Sequence, residues 1–257
     1  MVPLGDLVAD HLILISLAIA PISYYYPMSK TPISDNIAQL LKRVRLAAAK
    51  SQRSPDDICI IAASKTRPAA AIQAAYECGI RNFGENYLQE ALEKIAALSK
   101  LNLIWHFIGP IQSNKTRAIA ENFAWVHSVD RLKIARRLSD QRPRQLPPLQ
   151  ICLQVNISNE TSKSGAPPQA LPELVQEVQA LPQIQLRGLM AIPAATGDET
   201  QQQRIFRQMC ELMRQLQVQA PTMDTLSMGM SADLEAAISQ GSTAIRVGTD
   251  IFGSRNR

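Results

Sequence analysis

Between residues 33 and 49 the apolar side chains Ile37, Leu40, Leu41, Val44 and Ala48 recur every three or four positions, the spacing that lines one face of a helix. This predicts a leading helix over 33–49, with Ser34 as its N-cap. Beyond it the period changes. Short apolar runs bounded by turn-forming residues alternate with helical patterns to the C-terminus. The runs predict strands at 58–64, 81–84, 105–109, 125–128, 150–156, 185–190, 225–228 and 244–247, and the helical patterns fall at 69–78, 87–98, 114–121, 131–139, 168–180, 200–217 and 232–239. Strands that alternate with helices must pair in parallel through right-handed crossovers, and eight such units in about 200–250 residues have the dimensions of a closed (β/α)₈ barrel. A doubly wound open sheet is the runner-up, but it would carry a Gly-x-Gly-x-x-Gly turn after an early strand, and the chain has none. The Pro-rich stretch 142–148 interrupts nothing in this alternation and reads as a loop.

Composition narrows the class. The chain has 257 residues, 46% of them hydrophobic and 19% charged, which suits a folded globular protein. Its formal charge of +5 favours phosphorylated small molecules, while Lys and Arg are scattered rather than striped, so no nucleic-acid groove is predicted. Cys59, Cys78, Cys152 and Cys210 form no Cys-x-x-Cys pair and read as reduced core residues of a cytoplasmic protein. Three dispersed histidines without cysteine pairs predict no metal site. The N-terminus departs from the rest. The apolar run 12–20 is short for a bilayer span and follows Asp6 and Asp10, where a signal peptide would carry positive charge. Residues 1–27 therefore read as an extension upstream of a start at Met28, with 28–257 as the barrel domain; a weak membrane anchor is the competing reading.

The apolar run that begins at Ile58 ends in Ser64, Lys65 and Thr66, which places one amine at the C-terminal end of a buried strand. Desolvation and the nearby cation Arg67 would both favour its neutral, nucleophilic form. The alternative is a lysine that marks the strand's edge. In a barrel of this kind chemistry sits at the C-terminal ends of the strands, and a phosphate site often forms after strands seven and eight. There the sequence carries Ser227-Met-Gly-Met-Ser231, with Asp233 opening a helix, and Arg246-Val-Gly-Thr249. Glycines that let backbone N–H groups approach an anion, with hydroxyls beside them, suit that task. Two ordinary Gly-containing turns are the alternative. An amine on one strand and a phosphate cradle across the mouth are what a phosphorylated aldehyde needs, and pyridoxal 5′-phosphate is the obvious one. His106 and His127 fall near strand ends and could exchange protons or simply line the pocket. Glu85 reads as a structural hydrogen-bonding group to backbone, and Met190, Met228 and Met230 as packing residues.

Several segments occur together and in order: Ala-Ser-Lys65-Thr, Asn82-Phe-Gly-Glu-Asn86-Tyr, Trp105-His-Phe-Ile-Gly-Pro-Ile-Gln112-Ser-Asn-Lys115, Val155-Asn-Ile157, Lys163-Ser-Gly165, Gly188-Leu-Met190, Leu226-Ser-Met-Gly-Met-Ser-Ala-Asp233 and Arg246-Val-Gly-Thr-Asp-Ile-Phe-Gly253. In these motifs the chain, over about residues 30 to 255, closely resembles the YggS/PROSC family of pyridoxal-phosphate homeostasis proteins, called PipY in cyanobacteria. The resemblance implies a single barrel similar to the N-terminal domain of alanine racemase, with pyridoxal 5′-phosphate held as a Schiff base on Lys65. It implies that Ser231 and the backbone around Gly248 and Thr249 hold the phosphate, with Ser227 and Met230 nearby. Arg246 would face the pyridine nitrogen, and Asn86, His106 and Met190 would line the pocket.

An arginine only donates, so Arg246 would keep that nitrogen unprotonated and the ring a poor electron sink. The expected role is storage, buffering or delivery of the cofactor to apo-enzymes, with consequences for amino-acid metabolism. A weak amino-acid racemase is the enzymatic alternative; it needs a second base, which alanine racemase takes as a tyrosine from a separate domain and which here is expected only from the tyrosine of a partner chain. A regulatory protein that signals through its cofactor is the third reading. A monomer is expected.

Overall fold

A computed structural model describes residues 32–158, 164–194 and 196–254. The readings of residues 1–27, of the start at Met28 and of Lys163 lie outside the described residues. All eight predicted strands form, each within two residues of its expected ends: β1 Cys59–Ala63, β2 Asn82–Glu85, β3 Ile104–Phe107, β4 Trp125–Val129, β5 Leu149–Gln154, β6 Ile184–Met190, β7 Thr225–Ser227 and β8 Ala244–Val247. They pair in parallel in sequence order, and β8 returns to β1 with Ile61 opposite Arg246, closing the barrel. The helices between them are α2 Ala69–Glu77, α3 Leu88–Ala97, α4 Thr116–Asn122, α5 Leu132–Gln141, α6 Leu171–Gln179, α7 Glu199–Gln217 and α8 Leu234–Ser239. A short helix, α9 Thr249–Phe252, follows β8.

The leading helix α1 spans Pro32–Lys50 and buries Ile37, Leu40, Leu41, Val44 and Ala48, the stripe read from the sequence. Its start differs from expectation. Pro32 occupies the first turn, where its missing N–H costs nothing, and Ser34 lies buried inside the helix instead of capping it. The loop 142–148 is held by Arg142, which is buried and donates to the carbonyls of Ala120, Phe123 and Pro147.

Strand alternation divides the molecule into two polar and apolar compartments. Ile60, Ala62, Phe83, Phe107, Val126, Leu189, Leu226 and Ile245 belong to the large core between strands and helices. Cys59, Ile61 and Ala244, and separately Trp125, Cys152 and Met190, form small clusters inside the barrel. Successive residues of one strand point to opposite faces, so Lys65 continues the interior series Cys59, Ile61, Ala63, whereas Ser64 continues the exterior one. The interior is polar over much of its height: Asn82, His106, His127, Gln150, Ser227 and Arg246 are all buried there. All four cysteines are free; burial pushes the Cys59 and Cys152 thiols up to about 12, which keeps them protonated and inert.

Candidate functional site

At the C-terminal ends of the strands lies a cavity of about 250 Å³ lined by Ala63, Lys65, Arg67, Met230, Ser231, Ala232, Arg246, Gly248 and Thr249. It lies just below the roughly 300–1,000 Å³ typical of ligand pockets, and suits a single substituted ring. Six of the residues predicted from sequence meet in it: Lys65, Met230, Ser231, Arg246, Gly248 and Thr249. They arrive from β1, from the turn after β7 and from β8, elements that only barrel closure makes neighbours.

The two glycine turns have the backbone that their composition suggests. Gly229 has φ +96°, and a Cβ there would lie 2.6 Å from the Cβ of Ala237. Gly248 brings its backbone against β1, where a Cβ would stand 3.3 Å from the Ala63 carbonyl oxygen. The Ser231 hydroxyl accepts from the Asp250 N–H at 3.4 Å, joining the two turns. The helix expected directly after Ser231 begins only at Leu234, because residues 231–233 form a tighter turn in which the Asp233 carboxylate accepts from the Met230 N–H at 2.6 Å. Burial raises the pKa of Asp233, opposed by that hydrogen bond and by the charge of Arg246.

The other four predicted residues stand back from the cavity. Ser227, His106 and Met190 are buried inside the barrel, and Asn86 follows β2 with its side-chain oxygen buried and unpartnered. Ser227 and His106 belong to a hydrogen-bonded chain that ends on Arg246. Arg246 donates to the Ser227 hydroxyl at 2.7 Å and to the Ala191 carbonyl at 2.9 Å. Ser227 contacts His127 Nδ1 at 2.8 Å, His127 Nε2 contacts His106 Nδ1 at 2.9 Å, and His106 Nε2 contacts Asn82 Oδ1 at 3.0 Å. Burial keeps both imidazoles neutral, so each ring carries one N–H, and an amide oxygen can only accept; together these set the direction of every link. Ser227 donates to His127, His127 Nε2–H donates to His106, and His106 Nε2–H donates to Asn82. Each imidazole then donates once and accepts once. Burial lowers His106 to about 3 and holds His127 well below its usual range, the cation Arg246 adding to the effect on His127. Two neutral histidines with both nitrogens engaged position Arg246 and are not free to exchange protons with the cavity. Burial also lowers Arg246, to about 10, which leaves it a cation at neutral pH.

Three contributors were not evident from sequence. Arg67, read only as a cation near Lys65, lines the cavity and donates to the Gly253 carbonyl at 2.5 Å; its position two residues after Lys65 was the available signal. Arg43 of α1 bonds the Ser231 carbonyl at 3.0 Å, Glu235 at 2.7 Å and the carboxylate of Asp250, so the leading helix ties both glycine turns together. Glu85 corrects an expectation: its carboxylate takes the Ser64 hydroxyl and the Lys94 ammonium as donors, not backbone.

A family model described as alanine racemase, N-terminal domain, matches residues 36–256. The chain is 57% identical over 224 residues to the pyridoxal phosphate homeostasis protein of Pseudomonas aeruginosa, covering 87% of this chain and 96% of that one. It is 51% identical over 227 residues to the protein of the same name in Escherichia coli K12, covering 87% and 97%. Among solved structures it is similar to PipY of Synechococcus elongatus with pyridoxal phosphate bound, at 39% identity and a TM-score of 0.75, covering 86% of this chain and 100% of that one. The alanine racemase of Corynebacterium glutamicum, at 17% identity and a TM-score of 0.59 over 87% of this chain and 62% of that one, shares the fold.

Proposed function

The chain belongs to the pyridoxal phosphate homeostasis protein family, and on that premise we propose that it binds pyridoxal 5′-phosphate as a Schiff base on Lys65 and serves to store, buffer or deliver it. One observation carries the reading: a single cavity joins the amine of Lys65 to two glycine turns with hydroxyls and to a buried arginine.

Lys65 would hold the cofactor through its amine, and the chemistry the cofactor supplies there is reversible exchange of its aldehyde between amines. The chain's own residues do the rest. Ser231, Thr249 and the Gly248 backbone would hold the phosphate. Arg246, fixed from below by Ser227 and Ala191, would direct a donor at the pyridine nitrogen and so leave the ring a weak electron sink. Tyr76 and Tyr87, the tyrosines among the described residues, do not line the cavity; Tyr76 packs under Arg81 and Tyr87 is exposed. This favours carriage over racemisation. Among the described residues no helix is long and apolar enough to cross a membrane.

The test is the visible spectrum of the purified protein before and after borohydride, with peptide mapping of the reduced adduct. An adduct on Lys65 that is lost in Lys65→Ala is expected. A protein that takes up no added cofactor, or carries the adduct elsewhere, would overturn the assignment. Solvent-deuterium exchange at the α-carbon of added amino acids should not occur; its appearance would favour the racemase reading.

A further inference from the structure

Lys65 points into the barrel, but the residues on either side of it are gripped from outside. The Ser64 hydroxyl donates to Glu85 Oε1 at 2.6 Å, and the Ser64 carbonyl accepts from Lys94 Nζ at 2.8 Å. The Thr66 N–H donates to Glu90 Oε1 at 2.6 Å. Lys94 in turn bonds Glu85 at 2.8 Å and Glu90 at 2.5 Å. Every one of these contacts ends on a single ionic cluster, with Lys94 at its centre and both Lys94 and Glu85 buried. The turn needs such a grip. Thr66 has φ +63°, a left-handed conformation that a β-branched residue adopts only when its surroundings impose it.

We propose that Lys94, with Glu85 and Glu90, is the positioning group for Lys65: by pinning the backbone before and after it, the cluster sets where the Lys65 amine stands relative to the phosphate turns. The inference rests on Lys65 being the residue that takes the cofactor. It assigns a role to a second lysine that never touches the cofactor, lies on α3 outside the barrel and comes 29 residues later in the chain. The phosphate turns after β7 and β8 make no contact with the cluster in the bonds described, so positioning of the amine and holding of the phosphate are separable.

The experiment measures two quantities on the full chain: the rate at which added pyridoxal phosphate becomes borohydride-trapped on Lys65, and the concentration of inorganic phosphate that halves that rate. In Lys94→Met the trapping rate should fall at least about tenfold, since misplacement by about an ångström is costly to a reacting group, while the phosphate concentration stays at the wild-type value. A general loosening of the fold would move both. Glu90→Gln leaves the buried Lys94–Glu85 pair intact and weakens the grip on Thr66 together with the Glu90–Lys94 pair; trapping should slow by about two- to fivefold, with faster exchange of the Thr66 amide in the protein without cofactor. Wild-type trapping rates in both variants, or equal changes in rate and phosphate concentration, would overturn the proposal. If the wild-type adduct maps to a residue other than Lys65, the assignment of Lys65 fails first and the positioning role falls with it.

Discussion

The same strands carry two buried polar networks on opposite faces, and they solve burial differently. Inside the barrel the chain from Arg246 to Asn82 is neutral apart from its first member, and each link is one donor matched to one acceptor. Outside, Lys94 sits between Glu85 and Glu90, and Glu85 Oε2 is buried without a partner. A fully satisfied neutral chain can be sunk deep in a fold at little cost, whereas a buried ion cluster must offset desolvation of each charge. The cluster outside the barrel is found where a strained turn needs several anchors at once. The chain inside is found where one arginine must keep a fixed direction.

Acid should break the inner network hardest. Histidine in the unfolded chain takes up a proton below about pH 6.5, while the folded protein holds His106 neutral down to about 3 and His127 well below its usual range. Their folded values are depressed, so the stability they contribute is full above pH 6.5 and is lost as pH falls toward the folded values. By pH 4.5 the pair should have cost on the order of 5 kcal/mol. Urea unfolding at pH 7 and pH 4.5 checks this, and a His127→Gln variant with an undiminished slope would refute the neutral assignment.

Removing the central cation should break the outer network by somewhat less. Lys94→Met strands the Glu85 carboxylate and should destabilise by about 3 kcal/mol at pH 8. Burial raises the pKa of Glu85, so its ionised form is the penalised one, and stability falls as pH rises from the ordinary carboxylate range through the raised value. The Lys94→Met penalty should therefore shrink at pH 5, the opposite pH trend to the inner network. A cost that grows on acidification would mean that Glu85 is not the stranded group.

A sharper and smaller perturbation is Ser227→Ala. It removes one link between His127 and Arg246 and should cost about 1–3 kcal/mol, because both neighbours lose a buried partner. Denaturant titration at pH 7 measures it; a change below experimental error would show that water restores the link. Smallest of all, Glu235→Gln weakens an exposed pair with Arg43 and should change stability by less than about 1 kcal/mol, measured the same way in low and high salt.

An unbroken apolar run ending in Ser64, Lys65 and Thr66 put Lys65 at the end of a buried strand, and glycine turns at the expected strand ends marked the anion side before any contact was known. What sequence misread was short-range detail or long-range pairing. Ser34 looks like a cap because it is a serine before an apolar stripe, but Pro32 starts the helix earlier. Glu85 looks like a loop residue because its ammonium partner stands nine positions away on a helix that packs over the strand. Arg43 could not be assigned at all, since Glu235 lies 192 positions away.

The sequence by itself therefore determined the eight-fold alternation, the place of Lys65 at a strand's C-terminal end and the residue types at the barrel mouth, because apolar runs and turn chemistry are local properties of the chain. Only the tertiary structure decided which charges meet, which way the histidine chain donates and what holds the turn around Lys65. Those depend on helix-to-strand packing and on closure of β8 against β1, which bring together side chains that no local pattern relates.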